Sequence, residues 1–182
     1  MKNKLIFLSV FTIVFFAVSS SFAAAWPEDF AIAKAQAKKK DVPVLMFFAR
    51  TGLCTWCELL EKDVFSKPEF KSFASKNLVL VKIDFPKKKQ QATKRAKNIK
   101  LRSDYRVYSN TANFPQVVLV DSAGNIMGRI RGYPSDLIKK GGAKAYIEEI
   151  EKIIKKYKES GAPEDDAGDA PEEAEDDDSD EW

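Results

Sequence analysis

Hydrophobic residues along this chain fall into blocks of two different periods, and the blocks alternate. Val42-Pro43-Val44-Leu45-Met46-Phe47-Phe48-Ala49 is a nearly unbroken apolar run, the form of a strand buried on both faces of a sheet. Leu78-Val79-Leu80-Val81-Lys82-Ile83-Asp84 and Gln116-Val117-Val118-Leu119-Val120-Asp121 read as two further strands. Ser122-Ala123-Gly124-Asn125 then leads into Ile126-Met127-Gly128-Arg129-Ile130. The short spacing and the Gly-Asn turn predict an antiparallel hairpin.

Helical patterns separate these runs. Pro27-Glu28-Asp29-Phe30 opens a helix that passes through Ile32, Ala33 and Ala37 to Lys38-Lys39-Lys40, with acids early and bases late as the helix dipole favours. A second helix continues past residue 57 to about Asp63. Ser66 and Glu69 have capping-box spacing around Pro68 and predict a fresh start, with Phe70 and Phe73 facing inward. Lys88 to Asn98 predicts a helix that is polar on most sides. From Ala143 to Tyr157, the residues Tyr146, Ile147, Ile150, Ile153, Ile154 and Tyr157 recur at helical spacing as a core stripe. The order helix, strand, helix, strand, helix, strand, strand, helix predicts an α/β fold with a central mixed β-sheet flanked by helices.

Both ends depart from this pattern. Lys2 and Lys4 precede an apolar stretch, Leu5 to Val18, and small residues follow as far as Ala25. Residues 1–25 read as a secretory signal peptide with cleavage positions after Ala23 or Ala25. The apolar core is shorter than the roughly 20 residues that span a bilayer. Cleavage is the expectation and leaves no stable membrane insertion; an uncleaved N-terminal anchor is the alternative, because no charge appears from Leu5 to Trp26. Either way the rest is exported, to a periplasm or beyond the cell. No cysteine near the cleavage site supports lipid attachment.

Residues 26–160 suit one domain with a real core. Residues 161–182 hold twelve acidic side chains and no basic ones, and such a segment buries too little apolar surface to order itself. The formal charge of +3 hides this division: residues 26–160 carry 28 Lys plus Arg against 15 Asp plus Glu, a net +13. A solubilising appendage is the expected role of the acidic tail, and an electrostatic mask over the basic body is the alternative. The basic residues lack the interleaved aromatics that base stacking needs, so no nucleic-acid partner is expected.

The chemistry concentrates in Cys54-Thr55-Trp56-Cys57, which holds the chain's 2 cysteines. Two thiols at the start of a helix can close a disulfide and reopen it, and the helix N-terminus favours the thiolate of the first. The chain has no histidine. Zinc and iron–sulfur sites therefore fall short of ligands, covalent haem attachment fails at Glu58, and a cysteine hydrolase lacks its base. No metal and no cofactor is expected. The competing reading is a permanent disulfide, although so small a ring staples little chain.

Leu53-Cys54-Thr55-Trp56-Cys57-Glu58-Leu59-Leu60, the Val64-Phe65 pair, and Phe114-Pro115 opening a later strand together resemble the thioredoxin superfamily over roughly Trp26 to Tyr157. The closer resemblance is to bacterial exported thioredoxin-like proteins whose motif reads Trp-Cys-Gly-Trp-Cys. It implies a thioredoxin-like fold and thiol-disulfide oxidoreductase activity. Cys54 would attack, Cys57 would resolve, and Pro115 would be a cis-proline facing the dithiol. Trp56, Phe114 and Pro115 would meet substrate, with the Phe114 backbone offering hydrogen bonds to an extended segment.

The chain also departs from that pattern. Met46 stands where many thioredoxins carry a buried Asp, leaving Glu58 as the candidate for proton transfer. Gln116 replaces a common Thr, and Tyr108 to Asn113 looks longer than the usual link. Thr55-Trp56 lacks the His of strongly oxidising motifs, so a reductase or isomerase is expected. Its partners would be proteins bearing disulfides or thiols and an electron donor that no residue identifies, with the chain itself a monomer. The alternative is a chaperone-like protein that holds clients on Trp56 and Phe114 and carries a bystander disulfide.

Overall fold

The first central strand, β1 (Val44–Ala49), has all of its residues buried, as a run apolar on both faces requires. The computed structural model describes residues 26–107 and 114–160. The expected signal peptide, the Tyr108–Asn113 link and the acidic tail lie outside the described residues. β1 pairs in parallel with β2 (Val79–Asp84) and antiparallel with β3 (Gln116–Val120), which in turn pairs antiparallel with β4 (Ile126–Arg131). The strand order is β2-β1-β3-β4.

The pairing registers decide where the chemistry sits. Ala49 lies opposite Asp84, Phe48 opposite Gln116, and Gln116 opposite Arg131. One edge of the sheet therefore collects the ends of β1, β2 and β4 and the start of β3. The segments leading to Cys54, away from Asp84, into Gln116 and away from Arg131 all meet there.

The first helix, α1 (Phe30–Lys40), begins where the Asp29 carboxylate accepts the N–H groups of Ala31 and Ile32, at 2.8 and 3.3 Å. The dithiol helix α2 (Thr55–Leu60) continues into a π turn (Glu61–Phe65), and α3 (Pro68–Asn77) follows. The expected capping box is absent. Ser66 keeps a helical backbone and its hydroxyl donates to the Lys62 carbonyl at 2.7 Å, so it closes the π turn. Lys67 stands at the N-cap of α3, with Pro68 in the first turn, where a missing N–H costs nothing.

α4 (Ala92–Asp104) starts and ends later than its polar pattern predicts. The Lys87 N–H is held by the Thr51 carbonyl, and the Gln90 side chain donates to the Asp84 carbonyl. The segment before Ala92 is thereby committed to the loop. The last element, α5 (Ser135–Ser160), breaks at Gly142 (φ 58°, ψ −137°), a backbone region open to glycine. The predicted helix from Ala143 is its second piece, and the first piece was not foreseen.

Packing converges on Phe65, whose ring lies 4.9 Å from Trp26, 5.0 Å from Phe47, 4.9 Å from Phe70 and 5.8 Å from Tyr146. Such aromatic contacts add about 0.5–1.5 kcal/mol each beyond area burial. Of the predicted stripe, Tyr146 and Ile150 are buried, while Ile147, Ile153, Ile154 and Tyr157 pack at the margin of the core.

Candidate active site

The chain leaves β1 through Arg50–Leu53, a turn held from both sides. Leu53 N–H donates to the Arg50 carbonyl at 3.0 Å, and Gly52 takes φ +78°. Thr51 N–H donates to Asp84 Oδ1 at 2.9 Å, and Phe85 N–H to the Ala49 carbonyl at 2.9 Å. The turn is thus stapled to the end of β2 before the first cysteine is reached.

Cys54 is the N-cap of α2, one residue outside the helix, with an extended backbone. Its Sγ accepts the Cys57 N–H at 3.1 Å. The two cysteines are joined in a disulfide, with Cα atoms 5.3 Å apart. They are not equivalent: Cys57 is 1% exposed, whereas Cys54 is only partly buried. A free amide aimed at Cys54 Sγ also stabilises a negative charge there, by hydrogen bonding and by the partial charge of the helix start.

The Phe114-Pro115 bond is cis, and the Pro115 carbonyl accepts the Gly132 N–H at 2.8 Å. This ties the cis-proline loop to the end of β4. Phe114 is 4% exposed, with its ring 6.1 Å from Phe85 in an edge-on contact. Its side chain therefore belongs to the core, and only its backbone is left for an extended partner. Trp56, at 55% exposure, is the large aromatic side chain beside the dithiol that faces solvent.

Met46 is fully buried and lies opposite Val81 and Val118, so β1 offers no carboxylate at that level. Glu58 is exposed. Glu61, one helical turn beyond Cys57, pairs instead with Lys82 Nζ at 2.5 Å. Gln116 is buried at the start of β3. Among the described residues no three His, Cys, Asp or Glu converge as a metal ion would need, and no helix is long and apolar enough to cross a membrane.

Three residues of this region were not singled out in the sequence. Asp84 holds the turn before Cys54. Tyr133 stacks on Trp56 with centroids 5.4 Å apart, and its hydroxyl donates to Asp63 Oδ2 at 2.7 Å. That bond, with lesser contributions from burial and from the Asp63 charge, raises the Tyr133 pKa above its usual 10.0. No local pattern signals these contacts, because the partners lie 33 and 70 residues apart in the chain.

Residues 30–137 match the family model of the thioredoxin-like domain. The disulfide bond reductase DsbH of Chlamydia pneumoniae is 31% identical over 129 residues, which cover 70% of this chain and 72% of that protein. The solved structure of a DsbH oxidoreductase superposes with a TM-score of 0.62 at 30% identity, over 72% of this chain and 84% of that one. A thioredoxin from Thermus thermophilus shares the fold, with a TM-score of 0.53 at 19% identity over 75% of this chain and 91% of its own. With its paired cysteines at the helix start and a cis-proline where β3 begins beside the end of β1, the chain belongs to the thioredoxin-like family, as a thiol-disulfide oxidoreductase.

Proposed function

We propose that the chain is an exported reductase or isomerase of protein disulfides, working through Cys54 and Cys57. The observation that carries this reading is the unequal exposure of the two sulfurs: Cys54 is reachable at the helix start, and Cys57 is 1% exposed beneath it. An incoming disulfide meets Cys54 first.

In the reduced protein the Cys54 thiolate attacks one sulfur of a substrate disulfide and expels the other as thiolate. A mixed disulfide links Cys54 to substrate. The Cys57 thiol then loses its proton and its sulfur attacks Cys54, which releases the second substrate thiolate and closes the Cys54–Cys57 disulfide. Two electrons pass to substrate, and an external dithiol returns them to the protein. The reductive direction is supported by the name of the DsbH relative and by the lack of a His between the cysteines. The Phe114 backbone and Pro115 hold the substrate as an extended segment beside Cys54. Residues 1–25 serve as the export signal, and residues 161–182 as a solubilising acidic tail.

Replacing Cys57 with Ala in the full chain, expressed with its N-terminal segment, tests the mechanism. Covalent adducts with exported proteins should accumulate and dissolve on treatment with a small dithiol. Cys54→Ala should give none. Adducts absent from Cys57→Ala, together with no insulin reduction by the purified wild-type domain, would return the chain to a client-binding role.

A further inference from the structure

The indole beside the dithiol is exposed without being loose. Trp56 rests on Tyr133 with ring planes inclined at 32°, and Tyr133 is anchored through its hydroxyl to Asp63. The backbone around Tyr133 is anchored as well. Gly132 N–H is held by the Pro115 carbonyl and Ser135 N–H by the Tyr133 carbonyl, each at 2.8 Å. A Cβ built on Gly132 meets nothing within 4 Å, so the space above the link between β4 and the cis-proline is open.

An exposed aromatic pair held by polar anchors leaves apolar surface in water that another apolar group can cover. Its place decides what covers it. Trp56 lies between the two cysteines, and Tyr133 follows the residue bonded to Pro115. Whatever lies on this pair while Cys54 reacts is the polypeptide that carries the reacting disulfide.

We propose that Trp56 and Tyr133 form an aromatic ledge that receives a large apolar side chain flanking the reacting cysteine of an extended protein substrate. Tyr133 is a specificity-determining contact, and Asp63 is the positioning residue that holds it. The ledge rests on the reductase reading above and adds the substrate class.

Two disulfide-linked peptides that differ only in Phe or Ser beside the cysteine test it with the full domain. Wild type should prefer the Phe peptide by about fivefold, through KM rather than kcat, as one aromatic contact predicts. Tyr133→Ala should cut that preference to less than about twofold, while Tyr133→Phe, which keeps the ring, should retain most of it. Asp63→Ala should lower the preference, and Asp63→Asn, which keeps an acceptor, should restore it. A structural defect alone would lower kcat for both peptides and leave their ratio unchanged. Equal reduction of both peptides by wild type, or a preference that survives Tyr133→Ala, overturns the ledge and leaves the reductase standing. Reduction of neither peptide removes the reductase reading and the ledge with it.

Discussion

The Tyr157 hydroxyl donates to Asp121 Oδ2 at 3.0 Å and so joins the last helix to the turn between β3 and β4. The other oxygen of the same carboxylate accepts the N–H groups of Ala123, Gly124 and Asn125 at 2.9, 2.7 and 2.8 Å. The Asn125 side-chain amide adds a bond to Oδ2 at 2.9 Å. Burial disfavours the charge at Asp121, but the bonds from Asn125, Tyr157 and Gly124 outweigh it and hold the pKa below 3.8.

A carboxyl depressed in this way stabilises the fold above its unfolded pKa and loses that contribution as pH falls through the lower folded value. Asp121→Asn should therefore lower Tm near neutral pH. The gap between the variant and wild type should narrow once the pH drops below about 3.8. Thermal unfolding across that range measures it, and a gap that stays constant with pH counts against the charge as the cause.

Asp84 acts on the dithiol turn from outside it. Asp84→Ala removes the acceptor of the Thr51 N–H, at a cost of about 1 kcal/mol in denaturant unfolding. Hydrogen exchange at the Thr51 amide should speed up beyond what the global loss explains. Asp84→Asn keeps an acceptor oxygen and should cost less, so equal losses in the two variants would assign the effect elsewhere.

Tyr146 is fully buried, and its hydroxyl has no hydrogen-bond partner in the structure. Burial pushes its pKa strongly up. Tyr146→Phe keeps the edge-on contact with Phe65 at 5.8 Å and removes the unpaired group. The variant should be as stable as wild type or more so, by up to about 1 kcal/mol. A loss of stability in urea unfolding would reveal a partner for the hydroxyl.

How much of this was legible in the sequence follows from where each signal resides. The strands were readable because their apolar runs are local, and the mixed sheet followed from the order of the elements. Pro115 was placed at the start of β3 by its position and by resemblance. The start of α4 was missed because Lys87 and Gln90 are claimed by Thr51 and Asp84, contacts that no window along the chain contains. Ser66 and Glu69 have the right spacing for a cap, yet the preceding π turn takes the Ser66 hydroxyl. The first piece of α5 was hidden by Gly141-Gly142, which reads as a stop although it marks a break between two helical pieces. At the site, the cysteines were visible as chemistry, while Tyr133 needed the tertiary structure to bring it to Trp56.

The π turn that ends the dithiol helix sets a requirement on chain length. Ser66 N–H reaches back five residues to the Glu61 carbonyl at 2.7 Å, so this turn holds one residue more than α geometry needs. Deleting a single residue from Glu61–Phe65 would rotate the two sides of the turn against each other by about 100°. Cys57 and Leu60 on one side, or Val64 and Phe65 on the other, would then swing away from the core they now share. One surplus residue keeps the reacting sulfurs in phase with the aromatic hub, and counting residues there matters as much as choosing them.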